Sequence, residues 1–333
     1  MNILYIGPYH QKTILGSTSQ AILINLLANN KKHNISCKPL SIEINVGGRN
    51  QNIHPDIVKA EENSFDTYDT VVQHAPISSA IPIGGVKSNI LLPIISTHDT
   101  TLDIDSLSQF TKILVDNTID YQKLSSYKQL KNKIHVFNYH FDLAIDNNTF
   151  LNLGNINFSK KLYYIGNFNN NQDNILNICK SFISNVSHEN VVLLIFLIYL
   201  QNDQKEQLEQ YIKNIYKTSN KISYLNKIHV MGIDAEIKTL GLIHNTCDIL
   251  INAEDMHSNS FNKKLNESYN KKILDFGIDD YSFTYERNGK FSPTGFNVIS
   301  ENSISTKIGQ YLKNSSTSNK VTHSKKTNIN ELL

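Results

Sequence analysis

Cysteine, net charge and long apolar runs are all scarce in this chain, and each scarcity removes a class of protein. The three cysteines, Cys37, Cys179 and Cys247, lie far apart with no CxxC spacing. Neither a disulfide framework nor a cysteine zinc site is expected from them, and a reducing, cytoplasmic compartment fits best. A net charge of only +2 over 333 residues gives no reason to expect nucleic acid, an acidic substrate or an anionic membrane as partner. The most apolar run, "VVLLIFLIYL" at 191–200, is about half as long as a membrane-spanning helix must be. No integral membrane segment is therefore expected, and a central strand of a parallel sheet suits the run better. The opening "MNILYIGPYH" lacks the basic stretch, long apolar segment and small-residue cleavage site of a signal peptide, and reads as a first strand.

What the chain does have is 40% hydrophobic and 19% charged residues, the balance of a soluble globular protein, at a length that favours two domains. Short apolar runs alternate with longer helix-like segments throughout, the mark of βα units in a parallel sheet, so the fold class is α/β. In the first half the runs are "NILYIG" (2–7), "DTVVQH" (69–74), "NILLPIIS" (89–96), "KILVDN" (112–117) and "KIHVFN" (133–138). After the first run, "STSQAILINLLANN" places Ile22, Leu23, Leu26 and Leu27 at helical spacing, with Ser17 or Ser19 as cap. The rhythm breaks over the polar stretch 138–161 and restarts with "LYYIGN" (162–167), "VVLLIFLIYL", "KIHVMG" (227–232), "DILINA" (248–253), "KILDFG" (272–277) and "GFNVIS" (295–300). The expected layout is a Rossmann-like domain over 1–150, a second over 156–302, a closing helix over 303–314 and a tail, 315–333, too poor in apolar residues to pack. In open sheets of this kind ligands sit beyond the carboxyl ends of the strands, and a cleft between two such domains is the expected site.

Four stretches carry candidate chemistry. "IGPYHQKTILGSTSQAIL" runs from a strand end at Gly7 through a loop with Gly16 into a helix beginning near Ser17. Such a helix start aims backbone N–H groups and a positive dipole end at an anion, although a plain tight connection has the same pattern. "IISTHDTT" sets His98 directly after a strand end, where a ring nitrogen can donate to a ligand oxygen. His74, in "YDTVVQHAP", reads as a packing or acceptor-side residue. "YYIGNFNNNQDNILNICKSF" ends a strand at Gly166 and continues through Asn167 to Gln172. Finally "SNSFNKKLNES" (258–268), a conspicuously polar helix, follows the buried strand "DILINA". Its Ser258, Asn259 and Ser260 are either part of a binding surface or a cluster of N-cap residues.

In their order these stretches, over roughly residues 1–315, resemble the glycosyltransferases built from two Rossmann-like domains facing across a cleft (GT-B), and in particular the large retaining family numbered four. The resemblance implies a nucleotide-sugar donor as substrate, no cofactor and no bound metal; the one Asp-x-Asp run, "DID" at 103–105, falls in the first domain at a helix start. It implies that the loop with Gly16 approaches the donor diphosphate and that His98, in a match to Thr97–His98–Asp99, touches the transferred sugar. On the family's Glu-Gly-Phe-Gly-x4-Glu frame, Asn259, Ser260, Phe261, Asn262 and Glu267 take the motif positions. Phe261 would then anchor the loop, and the two oxygens of Glu267 would accept from the ribose hydroxyls.

The chain departs from the family where the family uses charge. After Gly166 the expected arginine is Asn167 and the expected lysine is Gln172, so both cations that clamp the diphosphate are replaced by amides. Asn259 replaces the first glutamate of the helix motif, and an amide cannot stabilise positive charge developing at the sugar carbon. Arg49, Lys263, Lys264, Arg287 and Lys290 are available as compensating cations. Three readings stay open: an active, retaining hexosyltransferase with His98 and Asn259 at the reacting sugar, a non-catalytic relative that binds or assembles, and a nucleotide-sugar epimerase of the same fold. The acceptor, a glycan, a lipid, a protein or a modified nucleic-acid base, would be set by loops at 46–64 and 75–85.

Overall fold

The computed structural model describes residues 1–29, 33–41, 53–95, 102–116, 118–139, 149–186, 190–253, 259–276, 281–282, 298–313 and 327–328. The chain divides into two compact units, one of residues 1–144 with 323–333, the other of residues 145–322.

Unit 1 begins with β1 (Asn2–Gly7), α1 (Ile14–Asn29), β2 (Asn34–Pro39), α2 (Pro55–Glu62) and β3 (Thr70–Pro76). It continues with β4 (Ser88–Ile94), α3 (Ile104–Ser108), β5 (Lys112–Val115), α4 (Thr118–Ser125) and β6 (Ile134–Asn138). All its strand pairs are parallel. The apolar runs sit in the strands as expected, and on one side of the sheet Leu91, Ile113 and Ile134 pack with Leu107, Phe110, Leu124 and Leu130 of the α3–α4 region. Asp103 caps α3, its carboxylate accepting from the Ser106 amide at 3.1 Å, so "DID" is a helix start.

Unit 2 comprises β7 (Lys160–Gly166), α5 (Phe168–Asn185), β8 (Val191–Ile198), α6 (Asn202–Thr218), β9 (Ile228–Ile233), α7 (Ile237–Thr246), β10 (Ile249–Asn252), α8 (Asn259–Ser268) and β11 (Lys272–Asp275). Beyond these lie a two-residue antiparallel pair, β12 (Tyr281–Ser282) with β13 (Val298–Ile299), and α9 (Glu301–Lys313). All eight residues of β8 are buried, which is why an unbroken apolar run is an interior strand and not a half-exposed alternating one. In α5, Ile175, Ile178, Cys179, Phe182 and Ile183 are buried at helical spacing. The same helix receives α9, whose Gly309 permits the approach: a Cβ there would lie 2.5 Å from the Asn185 side chain.

Three expectations change. "NISCKP", not among the expected strands, forms the edge strand β2, and α2 occupies part of the stretch read as an acceptor loop. "GFNVIS" contributes only the short β13, outside the parallel sheet. Within the tail expected to be disordered, β14 (Thr327–Asn328) pairs with Phe137 and Asn138 of β6 and completes a seven-stranded sheet in unit 1. Main-chain groups of an edge strand accept a partner whatever its side chains, so poor apolar content did not exclude this pairing.

Candidate functional site

The order of strands in unit 2 is β11-β10-β7-β8-β9, so the chain winds outward from β7 to one side and then crosses to the other through β10. The carboxyl ends of β7 and β10 are therefore neighbours at the topological switch point, where open α/β sheets bind ligands. Gly166 closes β7 and α5 begins at Phe168; Asn252 closes β10 and α8 begins at Asn259. Two stretches some ninety residues apart, "IGNF" and "NSFNKKLNES", are thus brought to one edge of one sheet.

Helix α8 is polar in part because Asn262 and Asn266 are buried. Asn266 is fully buried, and its Nδ2 donates to the Tyr163 hydroxyl of β7 at 2.6 Å. That hydroxyl lies 2.5 Å from His244 Nδ1 of α7, and the imidazole stacks on Tyr269 with ring centroids 6.2 Å apart. Burial holds the Tyr163 phenol well above its usual range, so it keeps its proton. Burial first, and Lys271 second, pull the His244 pKa down to about 3, so the ring is neutral. This uncharged triad ties α8 to β7 and α7, and it fixes which residues the helix turns outward. Lys263 and Glu267, four residues apart and both half-buried, share one face of α8.

At the ends of β10 and β11, Asn252 Nδ2 donates to Asp275 Oδ1 at 2.8 Å, and Lys263 Nζ pairs with Asp275 Oδ2. Lys307 of α9 donates to the Asp275 main-chain oxygen at 2.7 Å and lies over the Phe276 ring.

Unit 1 has its own switch point, between β1 and β3. The loop leaving β1 is held tightly: Gln20 Nε2 donates to the Tyr9 carbonyl at 2.7 Å, and the Tyr9 hydroxyl and His10 Nε2 both meet Glu61 Oε1, at 2.9 and 2.6 Å. Burial pushes the Tyr9 phenol above its ordinary range, which keeps it a donor to that carboxylate. Helix α1 begins at Ile14 rather than near Ser17, and its cap is neither Ser17 nor Ser19 but Thr13, whose Oγ1 accepts from the Gly16 amide at 3.0 Å. Ser19 is buried within the helix with its hydroxyl 2.8 Å from that of Tyr5. His74 is buried in β3, 3.4 Å from the same Tyr5 hydroxyl, and burial lowers its pKa to about 4 against a small opposing effect of Asp116.

The expected site residues are therefore only partly brought together. Gly166, Asn167 and the start of α8, with Asn259, Ser260 and Phe261 as its first three residues, gather at the unit 2 switch point with Glu267 two turns on. Gln172 lies in the second turn of α5 and is exposed. Gly16 belongs to unit 1 and spends its amide on the Thr13 cap. His98, with Thr97 and Asp99, lies outside the described residues, as do Arg49, Arg287 and Lys290. The His10–Glu61 pair carries no signal of its own in the sequence, although His10 lies in the loop just beyond the end of β1, much as His98 follows a strand run. Among the described residues no group of three or more His, Cys, Asp or Glu could hold a metal ion, and no helix is long and apolar enough to cross a membrane.

No protein-family model and no curated protein matches the sequence. Solved structures do match in fold. A glycosyltransferase from Rickettsia africae ESF-5 superposes with a TM-score of 0.50 at 14% identity, over 95% of this chain and 89% of that one. S. aureus MnaA, determined with UDP, gives a TM-score of 0.50 at 11% identity, over 94% of this chain and 88% of that one. The likeness is one of fold: two α/β units of parallel strands, as in GT-B glycosyltransferases.

Proposed function

We propose that the protein is a glycosyltransferase that takes its sugar from a nucleotide-sugar donor, with unit 2 as the donor-binding unit. The observation that carries this reading is the strand order of unit 2, which sets the end of β7 at Gly166 beside the end of β10, the strand that leads into α8, with the half-buried Glu267 further along that helix. A helix start aimed at a strand edge suits phosphate, and a half-buried carboxylate suits a ribose. A solved neighbour of the same fold carries UDP. Resemblance to the retaining family numbered four extends the proposal to transfer with retention and without a metal, His98 orienting the sugar. Catalysis would then rest on positioning and on backbone dipoles sharing the leaving group's charge, since an amide stands at 259 where the family has a carboxylate. The same amide, with those at 167 and 172, favours the second reading, a non-catalytic module that still binds nucleotide.

Both readings predict that nucleoside diphosphates raise the unfolding temperature. Glu267→Ala is expected to weaken nucleotide affinity by about 10- to 100-fold, the worth of hydrogen bonds to a charged acceptor, measured by calorimetric titration with UDP, GDP and ADP. Wild-type affinity in the variant would remove Glu267 from the site. Release of free nucleotide from a donor sugar, abolished by His98→Ala, separates the transferase from the binding module. Binding without release leaves the module.

A further inference from the structure

The family's diphosphate cations are missing at 167 and 172, yet the carboxyl edge of the unit 2 sheet is not without positive charge. We propose that Lys263 is the replacement: it leaves Asp275 to grip the diphosphate of the donor nucleotide, and Asp275 holds it in place until the donor arrives. This rests on the nucleotide-sugar reading of unit 2.

Lys263 and Glu267 are one turn apart on the same face of α8, with Lys263 nearer the helix start. Along that face the charge runs from positive, reinforced by the helix dipole, to a carboxylate acceptor. A nucleoside diphosphate presents the complementary order, anionic phosphates and then ribose hydroxyls. The present partner of Lys263 is a carboxylate in a pair 39% and 40% exposed, and such a pair is worth little in water. A diphosphate, with at least twice the charge and several acceptor oxygens, competes well for the ammonium. Lys307 brings a second ammonium to the main-chain oxygen of the same residue, so two lysines meet Asp275 at this edge, one at its carboxylate and one at its backbone.

An independent sign comes from Asn252. It is 2% exposed and its amide nitrogen is committed to Asp275, while its Oδ1 has no hydrogen-bond partner among the described residues. A buried acceptor left so, beside the Lys263–Asp275 pair and at the end of β10, is a position that a ligand hydroxyl or amine completes.

The test is titration of the full chain with UDP, GDP and ADP and with the matching nucleosides. Lys263→Met is expected to lose about 10-fold or more in affinity for the diphosphate that binds, and to stay within about 2-fold for its nucleoside. Lys263→Arg should recover most of the loss. Asp275→Asn, which frees the ammonium, should bind the diphosphate more tightly than wild type, and it carries the test should Lys263→Met fail to fold. Equal losses for nucleoside and diphosphate in Lys263→Met, or unchanged diphosphate affinity in it, would overturn the proposal while leaving nucleotide binding by unit 2 intact. Unchanged or weaker diphosphate affinity in Asp275→Asn would overturn it equally. A wild-type chain that binds none of the six probes removes the donor-binding reading and this inference together.

Discussion

Gly16→Ala is expected to lower the thermal unfolding midpoint by about 6–12 °C, the equivalent of about 3 kcal/mol in a unit of this size. The sign is not the ordinary one. A glycine-to-alanine change inside a helix normally stabilises, by up to about 1 kcal/mol. Here the loop leaving β1 folds back against the first turn of α1, and a Cβ on Gly16 would stand 2.0 Å from the Gln11 carbonyl oxygen and 2.8 Å from its carbon. Those are main-chain atoms and cannot swing aside as a side-chain tip would. The loop is also tied down on either side of Gln11, through Gln20 on the Tyr9 carbonyl and through the Thr13 hydroxyl on the Gly16 amide. Relief must come from displacing the loop, which breaks those bonds and moves His10 away from Glu61. Gly84 is the matched control, because nothing lies within 4 Å of a Cβ built there; Gly84→Ala should leave the midpoint unchanged. Equal midpoints for the two variants would show that the approach at Gln11 is not a tight one.

The glycine illustrates what the sequence discloses and what it hides. A strand, a loop with glycine and a helix are legible from "IGPYHQKTILGSTSQAIL", but whether Gly16 meets a ligand or the chain's own backbone is a matter of three-dimensional approach. Strand β8 is legible because burial on both faces requires every residue to be apolar. Strand β2 is not, because an edge strand needs apolar residues at few positions and its middle three buried residues, Ile35, Ser36 and Cys37, give no periodic signal. Helix α8 was recognisable by register on a family frame, and its polarity was read as a binding surface. Asn266 is polar for a different reason, since it closes the buried bond to Tyr163. No spacing rule links Tyr163, His244 and Asn266, which come from three separate elements, and the same is true of His10 with Glu61 and of Lys263 with Asp275. Pairings across elements depend on packing, and one sequence carries no direct record of them.

Two buried histidines make the fold acid-sensitive. His74 has its pKa lowered from 6.5 to about 4, and His244 from 6.5 to about 3, each chiefly by complete burial. In the unfolded chain both take up a proton below about pH 6.5. The folded state refuses it, so between pH 6.5 and the folded values the unfolded state binds more protons, and stability falls as pH falls. The stabilisation is fully present above pH 6.5 and is lost progressively towards the two folded values, through about 4 for unit 1 and about 3 for unit 2. By pH 5 each histidine is expected to have withdrawn about 2 kcal/mol, since the unfolded value lies about 1.5 units above that pH. One histidine falls in each unit, so each unit loses a sizeable share of the stability of an ordinary domain. The surroundings offer little relief. His74 faces the Tyr5 hydroxyl, with Asp116 as a favourable charge. His244 faces the Tyr163 hydroxyl and the Tyr269 ring, with the Lys271 ammonium opposing protonation. Urea unfolding at pH 7 and pH 5 should therefore show a marked loss of stability, smaller in His74→Gln and smaller again when His244→Gln is combined with it. A double variant as acid-sensitive as the wild type would mean that neither ring is buried neutral, and the tie between α8 and β7 would then need a different account.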